Sequence, residues 1–224
     1  MPADGRFQTG MLSMDAIGFH EALDGNQDAV IIGHDWGAPA THGAASFAPE
    51  RWRKVVSMAV PPGGAVGLAF LTNLEQIKRS WYMFFFQHAL SDLVVAANDL
   101  AFLDMLWTDW SPGFDAGVDL GHVKQCLRDP ANLAAALGYY RAALGDGYKD
   151  PALADVQSAT QLVPPQPLLY LQGANDGCIG NEVAESARSM LPATATVEII
   201  ANCGHFLQLE QPAVVNARII EFLR

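Results

Sequence analysis

The chain is poor in cysteine, in charge and in long apolar runs. Only three cysteines, Cys126, Cys178 and Cys203, occur among 224 residues. They are scattered, with neither a C-x-x-C pair nor a Cys/His zinc spacing, which argues against a disulfide framework and a zinc motif. They read as free thiols in a reducing compartment. No apolar stretch is long enough to cross a bilayer. The opening residues Met1-Pro2-Ala3-Asp4-Gly5-Arg6 carry no apolar signal core, so the expected location is the cytoplasm. Lys and Arg number 13 against 24 Asp and Glu, a net charge of -11. A surface so short of cations argues against a nucleic-acid partner and against docking on anionic lipid. Apolar side chains are plentiful, half of all residues. At this length they support one good core and an inserted lobe.

Apolar residues recur at helical spacing from Met11 to Leu23, and Gly25-Asn26 turns that helix into a first strand. The pattern predicts four strands, Asp28–Gly33, Lys54–Val60, Leu168–Gly173 and Thr196–Ile200. It predicts helices from Trp36 to Phe47, Asn132 to Leu144, Glu182 to Leu191 and Pro212 to Leu223, with Pro212 suited to a first helical turn. Between about Ala65 and Ala159 no strand is convincing, and aromatic, helix-patterned sequence prevails. The expected architecture is therefore α/β. A parallel-sheet core (1–64 and 160–224) is interrupted by a helical cap (65–159).

The most informative segment is Gly33-His34-Asp35-Trp36-Gly37, between the apolar run Ala29-Val30-Ile31-Ile32 and the small residues Ala38, Ala40, Gly43, Ala44 and Ala45. Two glycines flank Asp35 at the spacing of a nucleophile elbow, where a strand turns sharply into a helix and close neighbours must lack bulk. A carboxylate there would form an alkyl ester, unlike the acyl ester of a serine. The same residues also fit a tight connection with Asp35 as a helix N-cap. Beyond the third strand comes Gly173-Ala174-Asn175-Asp176-Gly177, and beyond the fourth Asn202-Cys203-Gly204-His205-Phe206. Both lie past strand C-termini, where open α/β sheets build sites. The order Asp35, Asp176, His205 is nucleophile, acid, base. In that scheme His205 takes a proton from water while Asp176 fixes its tautomer.

On these motifs the chain resembles the α/β-hydrolase fold, in the branch holding epoxide hydrolases and haloalkane dehalogenases. The resemblance runs from about Met11 to the C-terminus. Arg79-Ser80-Trp81-Tyr82-Met83-Phe84-Phe85-Phe86-Gln87 is similar to the first cap segment of soluble epoxide hydrolases, with Tyr82 on the family's tyrosine. Gly138-Tyr139-Tyr140-Arg141 is similar to the second, with Tyr140 on the other. The resemblance implies that these two phenols aim at an oxirane oxygen, a poor leaving group that needs a donor. Core packing is the alternative for both, and Tyr139 is the rival to Tyr140. The Trp36 backbone N–H is the expected oxyanion donor. Trp36, Trp81, Phe85 and Phe206 are the expected substrate-binding residues.

The reaction implied is the opening of a small apolar epoxide to a vicinal diol through an ester on Asp35, with no metal or organic cofactor. A haloalkane substrate, with the Trp36 indole holding the halide, is the alternative. The pattern also departs from the family. No His-Gly-x-Pro loop occurs, and Asp35 follows a single strand where several are usual. The expectation is thus an N-terminally truncated core, inactive in a third reading, whose nucleophile strand forms an exposed apolar edge open to self-association.

Overall fold

Four apolar runs become four parallel strands. The structure is a computed structural model describing residues 5–224; residues 1–4, assigned above to the core, lie outside the described residues. Helix α1 (Thr9–Ala22) leads into β1 (Val30–His34), α2 (Gly37–Phe47) and β2 (Lys54–Met58). A helical segment follows: α3 (Ala65–Thr72), α4 (Leu74–Arg79), α5 (Trp81–Phe85), α6 (Leu90–Trp110), α7 (Gly117–Leu127), α8 (Pro130–Leu144) and α9 (Ala154–Ala159). The chain ends with β3 (Leu168–Gly173), α10 (Asn181–Met190), β4 (Ala195–Ile200), α11 (Leu207–Glu210) and α12 (Pro212–Leu223). Among the described residues no helix is long and apolar enough to cross a membrane. All three cysteines are unpaired.

The sheet order is β1-β2-β3-β4, every pair parallel. Helices cover both faces, which explains why β3 reads as a continuous buried run. On one face Ile31, Val55 and Leu168 pack with Ile17 of α1 and Ala44 and Ala45 of α2, and Tyr170 and Val197 pack with Ala184 of α10. On the other, Val56, Met58, Leu169 and Leu171 meet Leu207 of α11 and Val215 of α12. Cover on this second face stops short of β1, so Ile32 is 45% exposed on the edge strand. β2 ends two residues before the predicted Val60 because Ala59 turns with a positive φ of 65°.

One feature of the helical segment differs from the sequence reading. Helix α9 packs against α1 and α2, so the last helix of the predicted insertion joins the core layer; Val156 and Ala159 are buried there. Helix α6 is broken at Ala97–Leu100, where Asn98, Asp99 and Leu100 take φ of 50°, 55° and 60°. Arg128 clamps the break through a bidentate pair with Asp99, 2.7 and 2.9 Å.

Candidate active site

Because all four strands run the same way, the turns after β1, β3 and β4 emerge at one end of the sheet. Asp35 closes β1 with φ 51°, a left-handed geometry that costs a non-glycine residue about 1–2 kcal/mol. A Cβ on Gly33 would run into the Gly37 carbonyl and Thr41 Oγ1, so this glycine is required by the close return of the chain. Gly37 is not: it opens α2 into free space, and the expectation that both glycines are forced by crowding is corrected. Nor does Asp35 cap α2 with its side chain. Its carboxylate accepts instead from the Trp36 backbone N–H.

His205 sits between two carboxylates. Its Nε2 lies 3.2 Å from Asp35 Oδ1 and its Nδ1 3.0 Å from Asp176 Oδ2. The His205 and Asp176 side chains are fully enclosed, whereas Asp35 is 36% exposed. Burial works against charge on His205, but the Asp176 and Asp35 carboxylates outweigh it and push its pKa up to about 10. Asp35 is likewise opposed by burial, yet the His205 hydrogen bond holds its pKa at about 2. Asp176 spends its other lone pairs on Gln172 Nε2 (2.9 Å) and on the backbone N–H groups of Cys178 (2.7 Å) and Ile179 (3.0 Å). His205 thus bridges the two carboxyl groups, and of these Asp35 faces open space.

Tyr82 and Tyr140 meet above Asp35, with ring centroids 5.7 Å apart. The Tyr140 ring meets the Trp36 ring edge-on, centroids 5.1 Å apart, and Tyr82 Oη lies 3.3 Å from Cys178 Sγ. Burial, first, and the Asp35 and Cys178 charges raise both phenol pKa values well above the ordinary range. Both therefore stay protonated as donors. Tyr139 turns the other way, edge-on to Phe7, which removes it as the rival. A cavity of about 390 Å³ opens beside Asp35, lined by Trp36, His42, Val60, Phe70, Met83, Tyr140 and Ile179 among others.

Residues 13–212 match the family described as the alpha/beta hydrolase fold. The chain belongs to the α/β-hydrolase fold family. It is 27% identical over 206 residues to epoxide hydrolase 1 of Caenorhabditis elegans, covering 89% of this chain and 48% of the relative. It is 26% identical over 221 residues to human epoxide hydrolase 4, covering 94% and 56%. The chain thus spans about half the length of these curated relatives. Among solved structures, the Bacillus megaterium epoxide hydrolase in complex with an inhibitor superposes with TM-score 0.74 at 23% identity, over 97% of this chain and 76% of the other. At that identity the likeness speaks for the fold.

Three of the expected substrate-binding residues of this α/β-hydrolase lie elsewhere. Trp81 and Phe85 pack against each other and Phe102 within the helical segment. Phe206 stacks on Trp107, centroids 3.9 Å apart. None lines the cavity; Trp36 does. A helix or turn sends neighbouring side chains in different directions, so residues beside motif positions do not share their cavity.

Sequence reading missed the groups that hold the triad. Gln172, fully buried, accepts from the Tyr170 hydroxyl and donates to Asp176 and to the Ile179 carbonyl (2.9 Å). The Trp110 carbonyl at the end of α6 accepts from both Gly177 N–H (3.1 Å) and His205 N–H (3.0 Å), tying acid and base loops to the helical segment. Glu210 binds the backbone N–H groups of Gly204 (2.8 Å) and Phe206 (3.1 Å). At the site floor the His34 Nε2–H donates to the His205 carbonyl, 2.8 Å away. Burial and the His205 charge lower its pKa, keeping it neutral. The only sequence trace of this support was Gly177 and Gly204, where a Cβ would strike backbone at Asp109 and Trp110–Ser111.

Proposed function

We propose that this hydrolase opens oxiranes to vicinal diols through an alkyl ester on Asp35. The observation that carries the reading is the facing of two protonated phenols, Tyr82 and Tyr140, against an ionised carboxylate already bonded to a histidine–carboxylate pair. The Asp35 carboxylate attacks an epoxide carbon while Tyr82 and Tyr140 donate to the opening oxygen. The alkoxide takes a phenol proton, and the His205 proton restores the phenol. The ester carries no charge, so His205 loses the support of Asp35 and is driven toward its neutral form, the form a base requires. Neutral His205 then takes a proton from water as that water attacks the ester carbonyl. The Trp36 N–H, bonded to the same carboxyl group at rest, stabilises the oxyanion. Collapse releases the diol and returns His205 to the charged state between two carboxylates.

A halide reading lacks comparable support, because the two phenols beside Asp35 answer to an oxygen leaving group, which a halide does not need. The decisive experiment is a single turnover of an aryl-substituted epoxide in heavy-oxygen water, followed by mass analysis of the peptide carrying Asp35. The label is expected in Asp35, with unlabelled new oxygen in the first diol formed. Label in the diol and none in Asp35 overturns the ester.

A further inference from the structure

Cys178 has no part in the reaction just described, yet it points into the same site. Its Sγ, an Asp35 carboxylate oxygen and His205 Nε2 all lie within 4.8 Å of one another. We propose that Asp35, Cys178 and His205 form a binding site for a thiophilic divalent cation of the zinc type, and that its occupancy switches the hydrolase off.

The donor set is one thiolate, one imidazole and one carboxylate, a mixture suited to zinc and unsuited to magnesium or calcium, which take oxygen alone. Around tetrahedral zinc, with bonds of about 2.0–2.3 Å, ligand atoms stand roughly 3.3–3.5 Å apart. The Asp35–His205 pair is already at 3.2 Å, so the remaining adjustment falls on Sγ, from within 4.8 Å of the other two atoms to roughly 3.5 Å. Each ligand also has the outer partner that metal sites require. His205 Nδ1 is held at 3.0 Å by the Asp176 carboxylate, which fixes the ring and leaves Nε2 as the free ligand. The Tyr82 hydroxyl, 3.3 Å from Sγ, can donate to a thiolate. The Trp36 N–H orients Asp35. The fourth position faces the cavity at the exposed side of Asp35, where water completes the tetrahedron. On binding, the Cys178 thiol and His205 Nε2 each release a proton to solvent, and the metal takes the lone pairs that would attack the epoxide and accept the water proton. Inhibition rests on the proposed reaction; cation binding does not.

The test uses chelator-treated full chain and Co²⁺ as the probe. One cobalt per chain is expected, with a thiolate-to-cobalt charge-transfer band that Zn²⁺ bleaches. Cys178→Ala and Cys178→Ser should each abolish the band and weaken Zn²⁺ binding by more than roughly 100-fold, beyond the loss of an outer partner. Cys126→Ser and Cys203→Ser should retain it, and near-ultraviolet circular dichroism verifies the fold of each variant. A missing band, or one that survives in both folded Cys178 variants, overturns the proposal. In parallel, epoxide turnover should be lost with Zn²⁺ and recovered with chelator. Turnover without the cobalt band removes the cation site alone; the band without metal-free turnover removes the epoxide reading alone.

Discussion

Converting Asp35 to asparagine mimics the charge lost when the ester forms, and the effect on His205 can be worked from the geometry. Asp35 Oδ1 and His205 Nε2 are 3.2 Å apart, with the imidazole enclosed and the carboxylate 36% exposed. Solvent at Asp35 screens the pair, so an effective dielectric between about 40 and 80 applies. Coulomb's law over the 3.2 Å separation then gives about 1.3–2.6 kcal/mol, or roughly 1–2 pKa units. In the Asp35→Asn chain His205 should accordingly titrate about 1–2 units below its value of about 10. Asp176→Asn, which strips a wholly buried partner, should lower it further. The assay is nitrogen-15 NMR of the imidazole across pH, with His34 and His42 assigned by substitution. An unchanged or higher His205 pKa in Asp35→Asn would refute the idea that forming the ester releases the base.

The remaining predictions are these. Stability should peak near pH 6.5. The raised pKa of His205 stabilises fully below 6.5, and this contribution drains away as pH climbs from 6.5 to about 10. Below 6.5, His42, held neutral by burial with a pKa of about 3, makes the folded state refuse a proton that the unfolded chain accepts. Stability therefore falls from 6.5 toward 3, and Asp35, with its pKa lowered from 3.8 to about 2, adds to the loss only below 3.8. Denaturant midpoints should trace this curve, and His42→Gln should remove most of the acid limb; a midpoint still rising at pH 9 contradicts the sign for His205. Tyr82→Phe and Tyr140→Phe should each cut kcat on an epoxide by roughly 100-fold, with the double variant falling short of the product because the hydroxyls act together. Rates equal to the parent would return both tyrosines to core packing. Gly33→Ala should destabilise by about 3 kcal/mol or more through backbone overlap. Gly37→Ala should be neutral or slightly stabilising in its open helical position. Urea melts of the two variants check the contrast.

The fold and the meeting of Asp35, Asp176 and His205 were legible because their signals are local. β1 to β4 announce themselves as short apolar runs ended by glycine-containing turns, and a parallel sheet then requires the three turns bearing Asp35, Asp176 and His205 to share one end. The Tyr82 and Tyr140 positions came from resemblance and not from periodicity, which could not separate a phenol facing a cavity from one buried in aromatic core. The support around the triad was not legible. Gln172 and Tyr170 look like any residues of a buried strand, and Trp110 acts through its carbonyl, a group every residue carries. Trp81 and Phe85 show the reverse error, in which proximity in sequence stood in for proximity in space, whereas Phe206 lies against the His205 ring but outside the cavity.

By itself, the sequence determined that a carboxylate stands at a strand-to-helix turn with an acid and a histidine following in order, since residue type and spacing are properties of the chain. Only the tertiary structure decided that His205 bridges two carboxyl groups, that Tyr140 and not Tyr139 faces Asp35, and that Cys178 joins them. Those facts depend on distances of a few ångströms between residues far apart in the chain, which packing and burial set and no local pattern encodes.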